Sequence, residues 1–444
     1  GGCNSSEIRV GLGGFPHYPP YANLGRTVDA VAPVFGSGKA LAAECYEDAR
    51  KLNAFRLCDW RLCRVVLEQR VVTVETDPAD PSLIAAVVAR STRTGGDVRY
   101  KARLFADCTG DATLARGAGA AYMYGTEGRE VFGETLAPAK TRKEVMGLSS
   151  QWYSSDKAEP TSFPEVDWGL HFTDATCYYV TCGDWEAETG QFRDQIREAE
   201  YVRDYSLMTL YSNWSYLKNH SARKEEWARK SIDWVSPCGG KRESCRVYGD
   251  HVLTQQDLEC GIDHPDFTGT VTWSIDLHYP DPENVAKFAE PFRSCAYHRM
   301  ISGSPVPYRC LYARDVRNLF LGGRIISTSH VAFSAVRVMR TLGVLGEVVG
   351  LAASICREEN AYPREVYEKH LDRLKAMMEQ GVPIEVPHNG GHPGQKQECY
   401  HFKELGFFWF RPDGVRDPKN IPEGAMNRMK ALKIQTIYTD LDQI

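Results

Sequence analysis

A chain of 444 residues, 43% hydrophobic and 25% charged, can bury a large core, which sets aside a disordered or fibrous polymer. Its 53 basic and 58 acidic residues give a net charge of −5 with no basic run, so neither nucleic acid nor an anionic membrane surface is an expected partner. The fourteen cysteines have no Cys-x-x-Cys or other zinc-ligand spacing; buried thiols are expected and a metal site is not.

In chain order, Gly1-Gly2-Cys3-Asn4-Ser5-Ser6 reads as a loop already inside a domain. Residues 38–56 have helical spacing and good helix formers. Strands are expected at 63–69, 71–76, 83–92 and 98–110, the last two joined at Thr94-Gly95-Gly96-Asp97. Residues 63–110 thus form a β-meander that feeds a buried strand, and that strand should share a sheet with 318–323. From about 120 to 300 the βα rhythm is lost. Seven of the nine Trp lie between Trp152 and Trp273, with a helical stretch near 186–230, so an inserted domain is expected. NLFLGG (318–323) is a strand ending in glycines. One long helix, 331–356, follows; Arg337, Arg340 and Glu347 make it a buried helix rather than a membrane span. A surface helix covers 363–380, and the last sixty residues read as an irregular extension.

Two loops carry the chemistry. LFADCTGDATLA (104–115) is a strand, a Gly turn and a helix start, where backbone amides and a helix N-terminus could receive a phosphate; an ordinary βα turn has the same pattern. In 318–354, Gly322 and Gly323 end a strand, and the loop with Arg324, Ser327, Thr328 and His330 empties into a helix. Such a helix N-terminus suits an electron-rich ligand edge. Gly343, Gly346 and Gly350 on the helix suggest close packing against a sheet.

With these motifs in this order, the chain resembles the FAD-dependent oxidoreductases related to fumarate reductase and succinate dehydrogenase flavoproteins, its bacterial members above all. The segments 1–14, 104–120, 240–258, 305–324 and 329–350 carry the likeness. The resemblance implies an α/β fold: a Rossmann-like FAD/NAD(P)-binding domain with a β-meander and a large α+β insertion. Its divisions would be 1–120 and 305–360 for the FAD-binding domain, 121–304 for the substrate domain and 361–444 for a C-terminal helix and extension. The family's first strand, Gly-x-Gly-x-x-Gly turn and helix are not found in the sequence, and the domain is expected to be incomplete at its N-terminus.

By resemblance, Ser5, Ser6 and Arg9 would sit beside the pyrophosphate and flavin, and Val71 would offer backbone contacts to the adenine. Thr109, Gly110 and Asp111 would line the adenosine side. Gly323, Arg324, Val331, Arg337 and Val338 would line the flavin and ribityl side, with Arg324 standing where many relatives carry an acidic residue. A flavin enzyme needs a proton acceptor near the carbon that loses hydride, and cations to orient the substrate. His330 is the first candidate, followed by Arg242, His278, Tyr308 and Arg309. The expected activity is hydride transfer between FAD and a small organic substrate such as a sugar-like alcohol, stacked on aromatics of the Trp-rich region. A binding protein that has lost FAD is the second reading. A nicotinamide dehydrogenase is disfavoured, because no Gly-x-Gly-x-x-Gly follows a strand.

Overall fold

The computed structural model describes residues 2–31, 42–46, 48, 51–52, 63–183, 187–384, 406–409 and 436–439. Most of the helix expected at 38–56, and most of the chain beyond 384, lie outside these residues.

The meander forms as β1 (Gln69–Thr76), β2 (Ile84–Ser91) and β3 (Asp97–Tyr100), antiparallel in that order. It leads into β4 (Phe105–Asp107). The expected strand at 63–69 does not form before Gln69. Val65, Val66 and Leu67 are exposed there, because an unalternating apolar run offers no single face to bury and β2 has no edge left for it.

The short helix α1 (Thr113–Gly117) follows β4, and the Trp-rich region builds on β5 (Trp152–Asp156), which pairs with β6 (Lys230–Val235), and on helix α2 (Ala199–Asn219). Trp214 meets Trp152 edge-on at 5.5 Å and Trp227 at 5.3 Å, all three buried. Phe172, Tyr178, Tyr205 and Phe292 form a second aromatic cluster. These rings therefore pack on one another rather than offer a stacking platform.

Between β7 (Arg246–Val247) and β8 (Ile275–Pro280) lies the short helix α3 (Gln255–Glu259); β8 pairs with β9 (Ser294–Arg299). Then β10 (Leu319–Leu321) runs parallel to β4, with Leu319 opposite Phe105 and Leu321 opposite Asp107. The expectation that these distant strands share a sheet holds. Leu319, Phe320, Leu321, Val331 and Ala335 join the main core, together with Val271, Ile275 and Leu277 from within 121–304.

The helix expected at 331–356 is two helices, α4 (His330–Val336) and α5 (Met339–Glu358). Val338 is extended between them, and the Arg340 amide donates to the Gly13 carbonyl at 3.1 Å instead of continuing the helix. α6 (Pro363–Lys369) and α7 (Leu371–Gln380) likewise replace one surface helix, broken at His370. The glycine stripe works differently from expectation. A Cβ on Gly343 would meet Val28 of a neighbouring helix, whereas Gly346 and Gly350 have nothing within 4 Å. The glycine that lets α5 approach a strand is Gly269, where a Cβ would lie 2.7 Å from Val344.

Candidate active site

α4 sets one side of the site. His330, Ser334 and Arg337 fall at i, i+4 and i+7, and so share a helix face. That face meets β8, where Ser334 Oγ accepts the Asp276 amide at 3.1 Å and Arg337 Nη2 donates to Asp276 Oδ2 at 2.8 Å. The third wall is the segment Lys241–Arg246, whose side chains reach in turn to each part of the site.

His330 is 1% exposed. Its Nδ1 lies 3.0–3.1 Å from the Glu243 carboxylate oxygens, while its Nε2 is buried with no hydrogen-bond partner among the described residues. A carboxylate accepts, so Nδ1 is the donor to Glu243, and in the neutral imidazole the lone pair is on Nε2. Arg246, fully buried, donates to both Glu127 oxygens at 2.9 and 3.0 Å, and its Nε lies 3.0 Å from Glu243. Burial opposes the Glu127 charge, but Arg246 outweighs it and holds that carboxyl below its ordinary range. Nearby Glu134 goes the other way, with burial pushing its carboxyl up.

A second cluster adjoins the first. His278 Nδ1 lies 2.6 Å from Glu188 Oε2, and its Nε2 lies 3.2 Å from Asp276. Arg242 donates to Ser149 Oγ at 2.8 Å and stands 3.9 Å from Glu188. Burial disfavours charge on Glu188, yet Arg242 and His278 overcome it and pull the carboxyl down to about 2. Burial likewise opposes a charged His278, and Glu188 and Asp276 reverse this, so the imidazole titrates above its ordinary value. Adjacent amides tie the clusters together: Met146 N–H donates to Glu243 at 2.9 Å and Gly147 N–H to Glu188 at 2.7 Å.

The Gly-turn loops meet at the C-terminal ends of the parallel pair β4–β10. Asp111 contacts Lys241 at 2.9 Å and Arg324 at 3.1 Å, and accepts from Ser244 Oγ at 2.8 Å. Burial raises the Asp111 carboxyl, but the two cations prevail and it lies below its usual value. Gly110 is at φ 79°, and a Cβ there would come within 2.9 Å of the Arg324 guanidinium, so only glycine fits.

Protein oxygens cap the N-termini of both helices. Behind the Asp-Cys-Thr-Gly-Asp turn, the amides of Leu114 and Ala115 donate to Asp107 Oδ2 at 2.8 and 3.0 Å, and that of Thr113 to Thr109 Oγ1. At α4, the His330 amide donates to Glu127 at 2.8 Å and the Ala332 amide to Ser329 Oγ. Five first-turn amides of the two helices are thus satisfied within the protein.

The other expected residues have these surroundings. The Tyr308 hydroxyl is buried on the Pro363 carbonyl, and Arg309 forks onto Asp266 at 3.0 Å, so neither joins the His330 cluster. Ser6 binds Asp48, Ser5 caps the Ile8 amide, and Arg9 stacks 3.8 Å over Trp234. Val71 is a strand residue opposite Ala89, packed on the main core. Val331 is a core residue, and Val338 packs against Gly13 and Gly14. Sequence reasoning missed Glu127, Glu188 and Asp276, and it gave no role to Lys241 and Ser244 although both lie in the segment 240–258 that carries the family likeness. Glu243, in the same segment, was not singled out either.

The family model described as FAD dependent oxidoreductase matches residues 39–378. The chain belongs to that family. It is an FAD-dependent oxidoreductase, and its cofactor is FAD. No curated protein and no solved structure matches it. The parallel strand ends fit such a group. Gly323, at φ 71°, has no atom within 4 Å of a Cβ position; the buried Arg324 Nε has no partner among the described residues; and Thr109 is exposed beside them. Ligands of open α/β sheets bind at this edge.

Proposed function

We propose that this flavoprotein oxidises a small alcohol-bearing organic molecule, such as a sugar, with His330 as the group that takes the hydroxyl proton. The unpartnered Nε2 of a buried imidazole whose Nδ1 is held by Glu243 carries this reading. Thr109, Gly110, Asp111, Gly323 and Arg324 would hold FAD at the strand ends; when bound, FAD supplies the acceptor for hydride. Glu243 fixes the His330 tautomer and stabilises the imidazolium that forms, as a carboxylate behind a histidine does in other proton-transfer sites. Arg242, His278 and Arg337, balanced in part by Glu188 and Asp276, would orient polar substituents of the substrate. The region 121–304 would act as the substrate domain. Within the family we place the chain beside the fumarate reductase and succinate dehydrogenase flavoproteins, on the order of its motifs.

The test is stopped-flow anaerobic reduction of the FAD-loaded enzyme across a panel of polyols and simple alcohols. His330→Ala is expected to slow flavin reduction by roughly 10²–10⁴-fold, with FAD binding within a few-fold of the parent. An unchanged reduction rate removes His330 from the mechanism. Loss of FAD together with thermal stability would assign it a structural role instead.

A further inference from the structure

Around the segment that pairs with the His330 loop, the side chains of His251, Asp257 and His264 converge. Asp257 is the third residue of α3, where its Oδ2 accepts the Thr254 amide at 2.8 Å and the Thr254 hydroxyl at 3.0 Å, closing a capping box. The same carboxylate meets His251 Nε2 at 3.1 Å through Oδ2 and His264 Nε2 at 2.7 Å through Oδ1. The two imidazoles lie 4.6 Å apart between centroids, and the donor atoms of all three residues fall within 4.8 Å of one another. Asp257 is 4% exposed, His264 13% and His251 22%, so the cluster has a protein floor and an open side at His251.

We propose that His251, Asp257 and His264 bind a zinc-class divalent ion, against the sequence expectation of no metal site. Two imidazoles and a carboxylate suit zinc or cobalt and not the oxygen-seeking magnesium or calcium. A tetrahedral ion with bonds of about 2.0–2.1 Å sets its ligand atoms about 3.3 Å apart, so the edge between His264 Nε2 and Asp257 Oδ1, now 2.7 Å, must open by about 0.6 Å as the ion enters. Asp257 Oδ1, which the cap leaves free, faces the ion, and water completes the shell on the open side. Local charge favours a cation. Asp257 and Asp266 carry two negative charges and Arg309, forked onto Asp266, one positive, leaving one negative charge. Arg309 also sets a cost, because its Nη2 stands 3.3 Å from His264 Nδ1. That nitrogen must carry the hydrogen when Nε2 binds the ion, so metal binding gives up this contact. The site is structural rather than redox. Leu253, between the ligands, exchanges backbone hydrogen bonds with Ser327 and Ser329, directly before His330. The ion would staple the segment on which the His330 loop rests.

The experiment uses the full chain stripped with a chelator, then titrated with Co²⁺ by visible absorption and with Zn²⁺ by calorimetry. One equivalent is expected, with ligand-field bands and a rise in Tm of a few degrees. His251→Gln, at the partly exposed ligand that takes no part in the capping box, should weaken both ions at least ~10-fold and abolish the Zn²⁺ rise in Tm, with the metal-free Tm unchanged. Equal affinity in the parent and His251→Gln overturns the proposal. So does a thiolate-to-cobalt charge-transfer band, which would put the ion on cysteine, and so does Mg²⁺ binding as tightly as Zn²⁺.

Discussion

A single residue, Glu188, shows how far burial can be overruled. It is fully buried, yet its carboxyl sits at about 2 because Arg242, His278 and the Gly147 amide all favour the charged form. A depressed folded-state pKa contributes stability that is present above the ordinary 4.5 and lost as pH falls towards 2. His278 has the opposite sign: its raised pKa contributes stability below the ordinary 6.5, lost as pH climbs through the folded value. The pair is therefore at full strength between the two titrations. Relative to Glu188→Gln, the parent enzyme should hold an advantage on the order of 3 kcal/mol near pH 5, shrinking steadily in acid. Urea unfolding at a series of pH values measures it, and a pH-independent difference would count against the assignment. At this scale the sequence was half legible. His330 and His278 stood out as residue types that do proton chemistry, but their carboxylate partners came from segments as remote as Glu188 and Glu243, and only the fold brings them together.

At the scale of elements, capping decides what the Gly-turn loops can do. Asp107, at the end of β4 and 0% exposed, accepts from Thr109 N, Thr109 Oγ1, Leu114 N and Ala115 N. Asp107→Ala would strand these donors in the interior, and a loss of about 2–4 kcal/mol is expected, read as a fall in Tm. A variant melting within a degree of the parent would show that water replaces the carboxylate. The strand–turn–helix was legible because alternation and the Thr109-Gly110 step are local signals. The use of Asp107 was not, because the motif holds two aspartates and spacing alone does not say which one turns inward. The break at Val338 was equally hidden: the helical spacing of apolar residues runs on through it, and the hydrogen bond that ends the regularity belongs to Gly13.

For the whole molecule, the N-terminal loop and the Trp-rich region are joined through Arg9, whose guanidinium lies 3.8 Å over Trp234 and 5.9 Å from the Tyr153 ring, with its Nε on the Ser6 carbonyl. Partly desolvated stacking of this kind contributes roughly 1–2 kcal/mol. Arg9→Ala should therefore speed limited proteolysis of residues 2–14 several-fold, and an unchanged cleavage rate would show that the loop is held by other contacts. The parallel pairing of β4 with β10 was legible across a long gap because both strands end in glycine turns beside buried apolar runs. Where the middle region joins the main core was not, since Val271, Ile275 and Leu277 look no different from the aliphatics around them. The crowding of indoles also makes the enzyme its own reporter. Trp152 and Trp227 each meet Trp214 edge to face in a cluster apart from the aliphatic core around Leu319–Leu321. Tryptophan emission will follow mainly the loosening of that cluster, while far-ultraviolet dichroism averages over the entire backbone, so denaturation curves from the two signals need not superimpose.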